Sequence, residues 1–333
     1  MNNIITHDLI NKLDTEIVWK EAVNPQNFLV NPQMSHSTLL SLSNGTQIKV
    51  FFNDAEYFEL LGEKFEILCE SNKENVLGTL YFESEKCNRA LGSIDTNSKV
   101  AYVIGDGFGI LKSAVSGLST LWGDLTQKSL PIHGSAMTSP DIGGLMMVGS
   151  HGGGKTTGLL NIMDILGKGE IVSDDWLIGN FKINGLNIST TDNSVSLSQK
   201  SFKENSHINR INKENIKTDL LKRKKSYKPE VLFGEGVIKH HEAITIKTIV
   251  LLVSGVKKDI SVITDLYNVP EFIVQATYHF PYYNNHIKNK HLFEWRNGLN
   301  GANINIITFD YSHFNNITEG YTKLINTILI GKI

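Results

Sequence analysis

The sequence predicts an α/β fold in two parts, a small β-rich module over residues 1–95 and a larger α/β domain over residues 96–333. Three observations carry that reading. Before residue 95 the apolar residues come in short alternating bursts. After residue 100, strand-like and helix-like patterns take turns. A glycine-rich octapeptide at 149–156 then joins one of those strands to one of those helices.

In the first part, residues 47–52 and 76–82 alternate apolar and polar side chains at the period of a half-buried strand. Turn-rich Ser43-Asn44-Gly45 and Glu70-Ser71-Asn72 separate the bursts, and a helix is predicted near 55–61. Residues 100–104 read as a strand opening the second part. A helix follows over 109–125, with Ile110, Ala114, Leu118 and Leu121 on one stripe. Residues 145–148 form a buried strand, 155–166 a helix and 170–173 another strand. The stretch 198–229 is polar and basic, with Lys222-Arg223-Lys224-Lys225 at its centre, and reads as a mobile loop or loosely packed helix. Strands continue through residue 252, including the β-branched run 248–253. A terminal helix over 318–328, with Tyr321, Leu324, Ile325 and Ile328 on one face, can cover the sheet.

Composition removes several function classes. The chain of 333 residues is 41% hydrophobic and 20% charged, which suits a globular protein with a sizeable core. Its 32 basic and 34 acidic residues give a net charge of -2, too little field to gather nucleic acid or a membrane surface in bulk. Cys69 and Cys87 cannot build a disulfide scaffold or a cysteine-rich metal site and read as reduced thiols. Residues 1–8 lack the pattern of a secretory signal, and no apolar run reaches the roughly 20 residues of a membrane helix. A cytoplasmic protein is expected, with no nucleic-acid or membrane partner.

The strongest chemical signal is Gly149-Ser150-His151-Gly152-Gly153-Gly154-Lys155-Thr156, followed by Thr157. It fits G-x-x-x-x-G-K-[ST] with a strand before it and a helix after it, the context of a phosphate-binding loop. Glycines let the backbone turn its N–H groups around phosphate oxygens without a Cβ in the way. The helix start adds its positive end, Lys155 reaches the terminal phosphates, and the Thr156 hydroxyl suits Mg²⁺. A glycine-rich turn ending in Lys-Thr would explain the spacing without explaining the context.

Asp174-Asp175 closes the strand after that helix. Successive side chains of an extended segment point to opposite sides. One carboxylate can therefore serve the metal while the other faces an acceptor hydroxyl as general base. Capping a turn is the alternative role. His133, in Leu130-Pro131-Ile132-His133-Gly134-Ser135-Ala136-Met137, is read either as a buried structural histidine or as a group touching substrate. The basic cluster at 222–225, with Arg210 and Lys213, suits an acidic peptide or a solvated surface. Pro281-Tyr282-Tyr283 with His279 and His286 suits an acceptor pocket or aromatic packing. His240-His241-Glu242 is discounted as a metal site.

Ile132-His133-Gly134-Ser135-Ala136, then 148–157, then Ile171-Val172-Ser173-Asp174-Asp175, then Leu232-Phe233-Gly234-Glu235-Gly236-Val237 with 243–250, together resemble the HPr kinase/phosphorylase family. The resemblance covers roughly 100–255. It implies a mixed-sheet fold like that of the phosphoenolpyruvate carboxykinases, with ATP as donor and Mg²⁺ as cofactor. It also implies that Asp175 accepts the proton of a serine hydroxyl, that Asp174 supports the metal, and that His133 positions phosphate groups. The family's I-R-G element, whose glutamate serves metal, is not evident before Leu232, and residues 1–95 do not look like the family's N-terminal domain. The expected activity is transfer of the ATP γ-phosphate to a serine of a protein or biosynthetic precursor peptide, recognised in part by residues 1–95, with room for a homo-oligomer. A kinase of free serine or a sugar-like alcohol, and a nucleotide-dependent switch without transfer, are the alternatives.

Overall fold

The computed structural model describes residues 5, 17–21, 34–42, 46–68, 76–123, 129–150, 152–190, 192, 194–197, 202, 225–233, 238–240, 243–277, 280–282 and 284–331. Two large mixed sheets and one small ribbon carry the fold, so the chain is of the mixed α/β class.

The first sheet contains β1 (Ile17–Glu21), β2 (His36–Ser41), β3 (Gln47–Phe52), β4 (Glu66–Leu68), β5 (Val76–Ser84), β6 (Ala90–Asp95) and β7 (Val100–Gly105), in the order β1-β6-β7-β5-β3-β2-β4. Helices α1 (Glu56–Lys64) and α2 (Phe108–Gly123) lie in its core. The predicted alternation in β3 is visible as Ile48, Val50 and Phe52, all fully buried between half-exposed neighbours. Leu111, Ala114, Val115, Leu118 and Trp122 of α2 form the matching stripe.

This sheet runs past the expected boundary at residue 95. The β7 strand and the helix after it, expected to open the larger domain, instead complete the first one: β7 pairs parallel to β5 and antiparallel to β6. The cause is a tight turn. Asp95 accepts hydrogen bonds from Asn97 N (2.9 Å) and Ser98 Oγ (2.7 Å), and Lys99 takes a left-handed φ of 54°. The chain therefore doubles back beside β6 instead of leaving for a second sheet.

The second sheet holds β8 (Leu130–Ser139), β9 (Gly143–Gly149), β10 (Gly169–Ser173), β11 (Trp176–Lys182), β12 (Gly185–Thr190), β15 (Ile238–His240), β16 (Ala243–Leu252), β17 (Ile260–Val262) and β18 (Asn305–Phe309). The ribbon pairs β13 (Val195–Leu197) with β14 (Lys225–Tyr227). Within the second sheet, β8 pairs with β9, β9 with β16, β16 with β12, β12 with β11, and β11 returns to β8. Five strands therefore close into a ring. Its strands pair antiparallel except β9 with β16, which are parallel; β18, outside the ring, also runs parallel to β16.

Helices cover both faces. On one, α5 (Val269–Ala276) and α6 (Asn285–Gly301) bring Val269, Phe272, Ile273 and Trp295 against Ile132, Met146, Leu177 and Ile249. On the other, α3 (Lys155–Leu166) and α7 (Ile317–Ile330) bring Leu159, Leu160, Tyr321 and Leu324 against Met147, Val250, Ile307 and Phe309. Burial of each large apolar side chain contributes about 1.5–3 kcal/mol, so the two faces hold the strands around the site. A short helix, α4 (Pro229–Phe233), packs Leu232 and Phe233 into the second of these cores. No helix among the described residues is long and apolar enough to cross a membrane.

Candidate active site

The glycine-rich loop leaves β9 at Gly149 and enters α3 at Lys155. Gly152 and Gly154 take φ of 68° and 87°, a region side chains with a Cβ rarely adopt. Gly154 is the N-cap of α3, so the helix's free N–H groups open towards the loop. Gly153 N donates to Ser150 O at 3.0 Å, closing the turn. The Lys155 side chain is buried and folds back over the loop, its ammonium donating to Gly149 O (3.0 Å) and Ser150 O (2.9 Å). Thr157 follows in the first turn, its carbonyl accepting from Asn161 Nδ2 at 2.8 Å. His151, expected in the phosphate cradle, lies outside the described residues.

The two aspartates sit in the break between β10 and β11 and have different surroundings. Asp174 Oδ2 accepts from Thr156 Oγ1 (3.1 Å) and from Ser196 N (2.8 Å). Asp175 Oδ2 is paired with Lys112, and Asp175 Oδ1 lies 3.5 Å from His133 Nε2. Sheet register produces the second contact, because β8 and β11 put His133 opposite Trp176. The Asp175 carbonyl also accepts from Gly134 N at 3.0 Å. Burial alone would raise the Asp175 carboxyl, but Lys112, His133 and Lys64 outweigh it and hold the group well below the usual carboxylate range.

His133 is fixed from behind by α5. Its backbone N donates to Thr277 Oγ1 (3.2 Å), and Nδ1 lies 3.2 Å from Ala276 O. Nδ1 thus faces a carbonyl and Nε2 a carboxylate, two acceptors for which the neutral ring has one N–H, so its tautomer decides which of them is served. Burial and then Lys155 bring this histidine down to about 4, so the neutral form holds at pH 7.

Three groups join the site that sequence reasoning did not find. Lys112 comes from α2 and Lys64 from the end of α1, both on the first sheet's helices. Asp192 lies just after β12, where its Oδ1 accepts from Ser173 Oγ at 3.1 Å. Burial pushes Asp192 up to about 6; Lys64 opposes the shift, and Asp175 and Asp174 add to it. Lys64 left a trace in the sequence, since it shares the buried stripe of α1 with Tyr57, Leu60 and Leu61. No local pattern marks Lys112 or Asp192.

The donor set fits Mg²⁺ in the manner of phosphate-loop enzymes. That ion keeps several waters and takes one or two protein oxygens plus substrate phosphates. Thr156 Oγ1 and Asp174 supply such oxygens at the helix start, and Asp174 Oδ1 has no hydrogen-bond partner among the described residues. No group of three or more His, Cys, Asp or Glu side chains there could hold an ion as a closed protein cage.

Other expected residues lie elsewhere. Tyr282 packs with Phe280 and His291 at centroid distances of 4.8 and 5.6 Å, so its ring is engaged in aromatic packing. Lys225 belongs to β14 and faces Glu63 of α1 at 3.9 Å. Arg210, Lys213, Lys222, Arg223, Lys224, Gly234, Glu235, Gly236, Val237, His241, Glu242, His279 and Tyr283 fall outside the described residues. A cavity of about 370 Å³ opens between the two sheets, walled by Ser119 and Thr120 on one side and by Asn180, Asn187 and Ser189 on the other. No protein-family model matches the chain. No curated protein matches it either.

Proposed function

We propose that the protein is a Mg²⁺- and ATP-dependent phosphotransferase acting on a hydroxyl group, with a serine of a protein or peptide as acceptor. One observation carries the reading: two adjacent carboxylates have separate partners, Asp174 the loop's Thr156 and Asp175 the His133–Lys112 pair. A protein that only bound nucleotide would need the first arrangement and not the second. Phosphoryl transfer calls for positioning and charge neutralisation more than for covalent chemistry.

On this reading the loop N–H groups and the α3 terminus cradle the phosphates. Lys155 exchanges its loop carbonyls for phosphate oxygens, and Thr156 with Asp174 would hold Mg²⁺, which would supply charge neutralisation for the phosphates. Asp175 accepts the proton as the acceptor oxygen attacks in line. His133 Nε2, 3.5 Å from Asp175 Oδ1, helps to orient that carboxylate before transfer. The hydroxyl- and amide-lined cavity between the sheets suits a polar peptide backbone. Trp176, directly after Asp175, donates from Nε1 to Thr120 Oγ1 of its wall at 3.0 Å.

The test is transfer of labelled γ-phosphate with Mg²⁺ to serine peptides, free serine and a metabolite extract, read by mass spectrometry. Lys155→Ala is expected to lose most transfer. Asp175→Asn is expected to keep ATP binding and lose about 10²- to 10⁴-fold in turnover, the range of general-base catalysis. Wild-type turnover by Asp175→Asn sinks the general-base role. Label on a small alcohol replaces the peptide acceptor with a metabolite, and ATP binding without transfer to any acceptor favours a switch.

A further inference from the structure

Lys64 ends α1 on one sheet, yet its ammonium is buried among the carboxylates of the other. The side chain is 1% exposed, with Nζ 3.7 Å from Asp174 Oδ1 and 3.8 Å from Asp192 Oδ2. None of these three atoms has a hydrogen-bond partner among the described residues. Buried charges ordinarily gain hydrogen bonds that offset their lost hydration. Here an ammonium and two carboxylate oxygens face one another without them, next to the oxygens suited to Mg²⁺.

Two-metal phosphoryl-transfer sites hold their ions about 3.5–4 Å apart, sharing carboxylates between them. Asp174 has the arrangement of such a shared ligand, with Oδ2 turned to Thr156 and Oδ1 to the second position. That second position is taken by an ammonium. Mg²⁺ bound there would draw its oxygens to about 2.0–2.1 Å, and the lysine stem fills the space it would need. The remaining charges agree. Lys112 already faces Asp175, Lys155 covers the loop, and Lys64 is the cation set against Asp192.

We infer that Lys64 is a built-in cation in the place of a second divalent ion, so that the chain takes a single Mg²⁺, on Thr156 and Asp174. The inference rests on the phosphotransferase reading above. It makes the first sheet part of the reaction centre, because removing its helix would leave two buried carboxylates without compensation. Lys64 acts through Asp174 and is therefore a positioning residue.

Mn²⁺ titration of the full chain with a non-hydrolysable ATP analogue, read by electron paramagnetic resonance, counts the ions. The wild-type protein is expected to bind one Mn²⁺ per chain. Lys64→Met is expected to bind two, since the uncompensated carboxylates then draw a second ion, and Lys64→Gln serves if the methionine variant does not fold. Two ions on the wild-type protein overturn the inference whatever the variants do. One ion on a folded Lys64 variant, with nucleotide bound, overturns it and leaves the phosphotransferase reading standing. If the wild-type protein takes up neither nucleotide nor Mn²⁺, that reading fails and the inference falls with it.

Discussion

His133 and His291 are both buried, and burial brings each down to about 4, with Lys155 assisting at the first and Lys290 at the second. The unfolded chain takes up protons on these rings below about 6.5 while the folded chain refuses them until about 4. Folding stability is therefore expected to fall as pH drops through that window, by about 1.4 kcal/mol per pH unit for each histidine. Asp192 works the other way. Raised to about 6, it keeps its proton longer in the folded state, so its contribution is present at low pH and lost as pH rises. Two histidines outweigh one aspartate, and Asp192→Asn should steepen the acid-side loss. Urea midpoints near pH 7 and pH 5 check this, and equal midpoints would mean the rings are not buried and neutral. At this scale the sequence was readable where chemistry is local. Lys155, Thr156, Asp174 and Asp175 could be found because a loop and a strand end fix their spacing. Lys64, Lys112 and Asp192 reach the same spot only through packing between elements far apart in the chain.

Among the elements, α3 was legible to the residue because a strand, a glycine loop and an apolar period agree on its limits. The α6 helix was not. It buries only His291, Trp295 and Leu299 among polar neighbours, a narrow stripe that a search for wide amphipathic faces passes over. Close packing on one ring compensates for that thin stripe. Phe181 of β11 meets Trp295 edge-on at 5.4 Å and lies directly over Gly298, where a Cβ would strike it. Gly298→Ala should gain up to about 1 kcal/mol in helix propensity and lose about 1–3 kcal/mol to overpacking, a net fall. Thermal unfolding measures it, and a raised Tm would mean that Phe181 moves aside freely. The β11–β12 hairpin was also missed. Gly179 sits in β11 because a Cβ there would meet Ile132 Cδ1 at 2.9 Å, and such an interior glycine weakens the strand pattern.

At the scale of the molecule, the mixed α/β class followed from the alternation of patterns, but the seam between the sheets did not. The sequence separated the parts near residue 95, whereas the first sheet ends with α2 and sends two lysines across to the aspartates. Separating the sheets would break those ion pairs, so the two are expected to unfold in one calorimetric transition. Two resolved transitions would contradict that coupling. The five-stranded ring has a consequence for synthesis. The β8–β9 hairpin leaves the ribosome about 90 residues before β16, the strand that links β9 to β12. At about 5–20 residues per second, those apolar strands wait roughly 5–20 s with an open edge. During that interval the nascent chain is exposed to edge-to-edge association, and a chaperone has its opportunity to act before the last strand arrives.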